Sequence, residues 1–439
     1  MFRGKLDKLV DKEFNPVLTH LFLGGENGIF STMKLFPLLI LLTLAVPGHP
    51  QSPSRGFRVR TITAGVTPPS LSDTVWLAKA IHFLMAAKKE VTSAGYEVQT
   101  LRVATSNLST LLSGHTLDQT LEHLEVWDAI AARNGVILSI GQVLAPNQYL
   151  AGIGEWATKL VQHTKTISFS LPISSHALGV HYASIKAAAE IIQALSKIDN
   201  GEANFRFTAS ANCPAGIPFF PAAFHEGGNS FAIGLESANL LTQAFAHTDG
   251  GTSRQKLKEL LEKNLRPVQE LGEKIAAGSG WVYDGIDASP APGLNASIGQ
   301  AIETLTGRPF GSPSTLGACA LITDVLKGLD IKKCGYSGLM LPVIEDPVLA
   351  KRAEEKRYTV EELLLFSSVS GTGLDVVPIP GDTPAEVIEG VLVDVAALSL
   401  KYTAKALSAR LFPLPGKKAG DAVTFKNPNL TATTVMEVK

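Results

Sequence analysis

From Phe57 onward the chain alternates short β-rich runs with longer runs of helical period, and this alternation limits the folds open to it more than any other feature. "FRVRTITAGV" reads as a strand, and "SDTVWLAKAIHFLMAAKKEVTSAG" as the helix after it, with Ser72 or Asp73 as cap and Gly95 as stop. "EVQTLRVAT" returns to strand, and "TLDQTLEHLEVWDAIAARNG" runs as a helix from a Thr116 cap to an Asn134-Gly135 stop. "VILSIGQV", "TISFSLPI", "NFRFTASAN", "NSFAIGLES", "WVYDGIDASP", "SGLMLPVI" and "LDVVPIP" continue the strands. Helices are predicted between them near 153–163 and 180–198 and over 254–277, 315–329 and 384–405, the third of these five bent at Pro267. Strand and helix keep alternating, so the expected class is α/β with a largely parallel sheet or barrel.

The 439 residues are 45% hydrophobic, enough for a sizeable core. Residues 57–439 contain no long linker and no solenoid repeat, and are read as a single large domain. A net charge of −1 provides no basic stripe for a phosphate backbone, which argues against nucleic-acid partners. Residues 1–51 differ in character: an N-terminal extension leads to Met33-Lys34, the apolar run from Leu35 to Val46 and the breaker Pro47-Gly48. That run has the length of a signal-peptide core and is too short for a stable membrane span. Residues 33–50 are therefore expected to act as a signal peptide, sending the chain into the secretory pathway. Asn107, Asn295 and Asn429 begin sequons that suit a secreted glycoprotein. Cys213, Cys319 and Cys334 allow at most one intramolecular disulfide, and their spacing carries no zinc signature.

Several chemistries lack their motifs: there is no GxGxxG after a strand, no GxxxxGK[ST], no GxSxG and no HExxH. What remains is a set of acids and one histidine beside predicted strands. Asp284 and Asp287 of "YDGIDASPAPG" and Glu345-Asp346 of "LPVIEDP" fall at strand ends. Asp375 opens "LDVVPIP", Asp382 follows it, and His225-Glu226 of "FFPAAFHEGG" lies in the loop before "NSFAIGLES". In parallel α/β folds the loops leaving the C-terminal strand ends converge, so these groups are expected to meet in one cleft. Such a set suits either oxygen ligation of a divalent metal (Mg, Ca or Mn) or acid–base chemistry. On this reading His225, Glu226, Asp284 and Asp287 are the candidate catalytic residues, and Asp284, Asp287, Glu345 and Asp346 the candidate metal ligands. Local roles compete with these: Glu345-Asp346-Pro347 can simply start a helix over 347–356, Asp382 to Glu386 can start another, and His225 can be a turn residue.

In order and spacing, "RVRTITAGV", "FHEGG", "VYDGIDASPAPG", "GYSGLMLPVIED" and "GLDVVPIPGDTPAEVI" resemble the family catalogued as domain of unknown function 711, or uncharacterised protein family 0210, often labelled pyruvate formate-lyase-like. The resemblance runs from about Phe57 to Val438. It implies a ten-stranded α/β barrel-like fold of the glycyl radical enzyme type, made of two parallel half-sheets with strands alternating with helices, and a homodimer. Function does not travel with fold. A glycyl radical enzyme needs a radical glycine close to its C-terminus, and the tail "NPNLTATTVMEVK" has none, while Gly335 of "KKCGYSG" lies far upstream. Where the family resemblance leads one to expect a His-Gly-Thr-Thr-like turn, this chain reads Ser312-Pro313-Ser314-Thr315. Two functional readings follow: a non-redox small-molecule enzyme (lyase, isomerase, cyclase or hydrolase) built on the acid/His set, or a non-catalytic binding or scaffold protein that keeps the barrel.

Overall fold

The structure, a computed structural model, describes residues 56–246, 251–293, 295–401 and 405–438. The described residues belong to one compact unit, Ser52–Lys439. Strand and helix alternate as the sequence predicts: β1 (Arg58–Val66), β2 (Val98–Thr105), β3 (Val136–Gln142), β4 (Ile167–Ser175), the short β5 (Gly179–Val180), β6 (Phe207–Ala211), β7 (Ser230–Glu236), β8 (Val282–Pro290), β9 (Gly373–Pro380) and β10 (Leu407–Leu414) form one ten-stranded sheet. Its order is β8-β7-β1-β2-β3-β4-β6-β10-β9, with β5 paired to β4. The central strands β1, β2, β3, β4 and β6 are parallel. β7 joins β1 and β10 joins β6 antiparallel, so each flanking pair runs against the centre. The class is mixed α/β.

Most strands are buried along nearly their whole length, as expected where helices cover a sheet and apolar runs replace alternation. The helix Val75–Ser93 buries Trp76, Leu77, Ala80, Ile81, Leu84, Ala87 and Val91, spaced at three to four residues. Trp76 meets the edge of Trp127 from the helix Leu117–Arg133 at 4.8 Å between centroids. That second helix begins at the predicted Thr116, whose hydroxyl and the Gln119 side chain form a reciprocal capping box.

Two expectations change. "SGLMLPVI" forms no strand; it crosses between the sheet edges, touching the ladder only at the single bridge Pro342–Asp375, while Lys333 just upstream bridges Ile286 of β8. The helix predicted over 254–277 is observed as Ser253–Ser279, with Pro267 inside it. The predicted helix over 384–405 is observed as Ala385–Lys401, and the strand β10 that follows was not anticipated.

Two irregularities in the ladder matter for the site. In β1, Val59 pairs with Leu235 but Thr61 with Gly234, so Arg60 is an extra residue. In β9, Leu374 pairs with Ala409 but Val377 with Leu411, leaving Asp375 and Val376 opposite the single residue Arg410. Bulges of this kind re-aim side chains. Val376 sits at φ 46, a left-handed value that a β-branched residue adopts only when its surroundings enforce it.

Candidate functional site

The acids and the histidine singled out from sequence do not gather in one cleft, and of the candidate catalytic and metal-ligating residues only His225 and Asp284 share a space. At one end of the central strands, His225 donates its backbone N–H to Thr105 O at 2.9 Å, pairs Nε2 with Gly228 O at 2.8 Å and presses its ring against Gly65 at the end of β1. Asp284 lies beside it, accepting from Ser230 Oγ at 2.5 Å, and burial raises its carboxyl despite Ser230, His225 and Lys332. The crevice the two share is about 10 Å³, at the lower limit for one water. Glu226 points to solvent.

Asp287 and Asp346 prove to be structural anchors. Asp287 is fully buried and accepts the backbone N–H groups of Ser289, Tyr336 and Ser337 at 2.8–3.0 Å, fixing the loop after Lys333 to β8. Gly335, the glycine of "KKCGYSG", is packed so close to Asp287 that a side chain would collide with the carboxylate. Asp346 is 0% exposed and caps two helices at once, taking Ser297 Oγ, Ile298 N and Gly299 N from one, and Val348 N and Leu349 N from Pro347–Glu354. Burial raises both carboxyls against these hydrogen bonds. The proposed four-carboxylate metal set is thereby corrected: its members are separately engaged, and among the described residues no group of three or more His, Cys, Asp or Glu could hold a metal. Asp346→Ala would strand several buried N–H groups, so a loss of roughly 3 kcal/mol or more is expected in equilibrium unfolding. A shift below about 1 kcal/mol would contradict the double-cap assignment.

Glu345 belongs to a different place. Five residues of extended strand separate Arg60 from Gly65, about 16 Å, so Glu345, bonded to Arg60, lies at the opposite end of β1 from His225. There a cavity of about 250 Å³ opens, walled by Arg60, Arg102, Phe220, Glu345, Asp375 and Arg410, with the exposed Lys165 at its rim. Glu345 bridges two guanidinium groups, accepting Arg60 Nη2 at 3.0 Å and Arg410 Nη2 at 2.8 Å. Arg410 Nε also holds Asp375 Oδ1 at 2.6 Å. Arg60 continues the network through Nη1 to Glu236 at 3.2 Å.

Arg102 is one of three cations lining this cavity, with Arg206 and Lys165, that have no bonded carboxylate among the described residues, and it is the one beside Arg60 and Arg410; the Arg206 guanidinium is held by the carbonyls of Val161, Thr164 and Ile167. Arg102 is 9% exposed, its Nε donates to Thr100 Oγ1 at 3.1 Å, and its guanidinium lies over the Phe220 ring at 5.1 Å. Burial, with repulsion from Arg60 and Arg410, lowers its pKa to about 9. The two carboxyls diverge. Burial works to raise Glu345, but Arg410 and Arg60 outweigh it and hold the group below the usual range. Burial and the neighbouring Glu345 push Asp375 up in spite of Arg410. The Thr372 hydroxyl on the same wall has no hydrogen-bond partner among the described residues. A cation without a bonded carboxylate and a carboxyl whose acidity burial weakens line one space.

Sequence reasoning named Glu345 and noticed Asp375 but missed Arg60, Arg102 and Arg410. The signal was present: each arginine interrupts an apolar strand run, in "RVRTITAGV", "TLRVAT" and "LSARLFPL". In a sheet covered on both faces such a residue must turn into the interior.

The family model described as Uncharacterised ACR (DUF711) matches residues 53–427. A UPF0210 protein of Pyrobaculum islandicum is 29% identical over 377 residues, covering 82% of this chain and 83% of the relative. Others from Carboxydothermus hydrogenoformans and Lactobacillus helveticus are 26% and 25% identical, over 413 and 394 residues, covering 87% and 84% of this chain and 90% and 88% of the relatives. These relatives correct the expectation of a secreted glycoprotein with a signal peptide: they come from archaea and bacteria and bring no sign of secretion. The segment that carried the expectation, 33–50 within 1–51, lies outside the described residues. Among the described residues no helix is long and apolar enough to cross a membrane. On the family match over most of its length, the chain belongs to the DUF711 family of UPF0210 proteins.

Proposed function

We propose that the protein is a non-redox small-molecule enzyme that holds an organic anion on Arg102 and moves a proton at Asp375. The observation that carries this reading is the buried Arg102 guanidinium, stacked on Phe220 and lacking a bonded carboxylate among the described residues, at the wall of a 250 Å³ cavity. A ligand carboxylate would supply the missing countercharge through a two-pronged guanidinium contact. Asp375 and Glu345 share Arg410 yet are driven apart in acidity, the pattern of groups with separate acid–base duties. The strained bulge at Asp375-Val376 supports the same assignment, because it aims Asp375 at Arg410 and the cavity. Proton transfer next to a bound carboxylate fits a lyase, isomerase, cyclase or hydrolase.

The reading includes a barrel-like form of the sheet, of the type the family resemblance implies. Five pairings separate β1 from β10, about 24 Å across a flat sheet. Arg60 and Arg410, from those two strands, nevertheless meet on one carboxylate, which supports strong curvature around the cavity. The bridging segment from Lys333 to Pro342 touches both edge strands.

The test is a thermal-shift and calorimetric screen of small mono- and dicarboxylates against matched amides. Carboxylates are expected to stabilise the protein and amides not, with a gain of about 2.7 kcal/mol at a hundredfold excess over Kd. Asp375→Asn is expected to keep this binding and lose turnover. Binding with full turnover in Asp375→Asn would remove Asp375 from the chemistry, and binding without turnover in the wild type would favour the non-catalytic binding protein.

A further inference from the structure

We propose that the acid taken up by the arginine cavity carries a compact apolar body, of the size of a six-membered ring, on its carboxylate. This rests on the reading of Arg102 as the carboxylate anchor and adds the chemical class of the rest of the ligand.

Register sets the anchor beside an apolar wall. Thr63, Arg102 and Ile137 are successive partners across β1, β2 and β3, so the three stand in one row on the same face of the sheet. The segment 218–223 crosses that row as a strap. At one end Thr63 Oγ1 donates to Pro218 O at 2.9 Å; at the other Ser139 Oγ, two residues beyond Ile137 on the same face, donates to Ala223 O at 2.7 Å. Between these ties Phe219 and Phe220 line the cavity, and Ile137 lines it from the strand side. All three are half-buried, so the wall they form offers hydrocarbon to an occupant. Arg102, with its guanidinium over the Phe220 ring, stands where the charged end of the cavity gives way to this apolar part.

A separate observation argues against a polar body. Hydroxyl groups also border the cavity, but their hydrogens are engaged within the fold. Ser168 donates to Leu138 O at 3.1 Å, Thr208 to Ala409 O at 3.1 Å, Ser408 to Thr372 O at 3.2 Å and Thr166 to Asp128 at 2.6 Å. A polyol or sugar acid would give up its water against such a wall without gaining a donor for each of its oxygens. The size follows from the volume. An apolar cavity of about 150 Å³ takes up benzene, and the roughly 250 Å³ here accommodates a ring together with the arm that carries the carboxylate.

The experiment is calorimetry on the full chain with acetate, phenylacetate, glutarate and gluconate. Phenylacetate is expected to bind about ten- to a hundredfold more tightly than acetate, the effect of burying one phenyl ring, and glutarate and gluconate no more tightly than acetate. Ile137→Phe adds bulk on the cavity side of the wall and is expected to weaken phenylacetate by about tenfold while leaving acetate unchanged. Ile137→Asn, which makes the wall polar, is expected to act in the same direction and keeps the test valid if Ile137→Phe misfolds. Acetate, glutarate or gluconate binding as tightly as phenylacetate, with all binding lost in Arg102→Met, would overturn the apolar body and leave the Arg102 reading standing; a lead for glutarate would place a second carboxylate on Lys165 at the rim. Phenylacetate affinity equal to wild type in both Ile137 variants would overturn the apolar body in the same way. Absence of binding by all four acids, or phenylacetate binding that survives Arg102→Met, would overturn both.

Discussion

Replacing Arg102 with Met is expected to make the ligand-free protein more stable and to remove carboxylate binding. The two effects share one cause. Arg102 is charged, buried and without a bonded carboxylate among the described residues, and burial and the neighbouring Arg60 and Arg410 act against its charge more strongly than Glu345 supports it. Methionine of similar length would keep the packing on Phe220 and relieve that repulsion, a gain of about 0.5–2 kcal/mol after loss of the Thr100 contact. The bound state runs the other way. Removing one partner of a buried charge pair costs about 2–5 kcal/mol, so carboxylate affinity should fall by about 30-fold to several thousand-fold. Arg102→Lys should recover only part of it, since an ammonium cannot form the two-pronged contact. Urea unfolding and calorimetry on the same preparations check both halves. A variant that is less stable without ligand, or that binds carboxylates as wild type does, would reduce Arg102 to a packing residue.

The architecture was legible because strands buried on both faces leave continuous apolar runs that stand out between amphipathic helices. Local rules served equally well where the interaction is local: the Thr116 cap needs only Gln119, and Asp346-Pro347 announces a helix start. The strand β10 escaped because "LSARLFPL" follows a helical pattern that had been extended to Lys405, and because Pro413 and Arg410 blur its strand character. The site escaped for a different reason. Its defining contact, Arg60 to Glu345, joins residues 285 positions apart, and no local pattern encodes such a meeting. The rule that function gathers at C-terminal strand ends drew attention to loops. The arginines instead stand within strands, two of the ladder irregularities turn them or their partners inward, and a bulge leaves no mark on hydrophobic periodicity. Acids were weighed as possible metal ligands, whereas three of the four were already committed to Ser230, to a loop and to two helix caps.

Glu345→Gln is expected to destabilise the protein by about 3–5 kcal/mol, the cost of breaking a buried ion pair from one side. The carboxylate is 7% exposed and serves Arg60 and Arg410 at once, so the neutral amide leaves two guanidinium groups short of countercharge and turns an N–H toward one of them. Adding Arg410→Met should then cost less than the separate effects predict, with a coupling of about 1–3 kcal/mol, because one uncompensated charge disappears. The pH dependence has a definite direction. Arg410 and Arg60 hold the folded-state acidity of Glu345 below that of an unfolded glutamate, about 4.3. The stability it lends is therefore complete above that unfolded value and is lost as pH falls through the lower folded one. The gap between wild type and Glu345→Gln should be constant from neutral pH to about pH 5 and shrink below about pH 4. Denaturant midpoints across that range decide the matter. A gap that stays constant into acid would mean Glu345 stabilises by shape and hydrogen bonding alone. Arg60 would then rely on Glu236 and Arg410 on Asp375 as charge partners, and those two pairs would have to carry the network without Glu345.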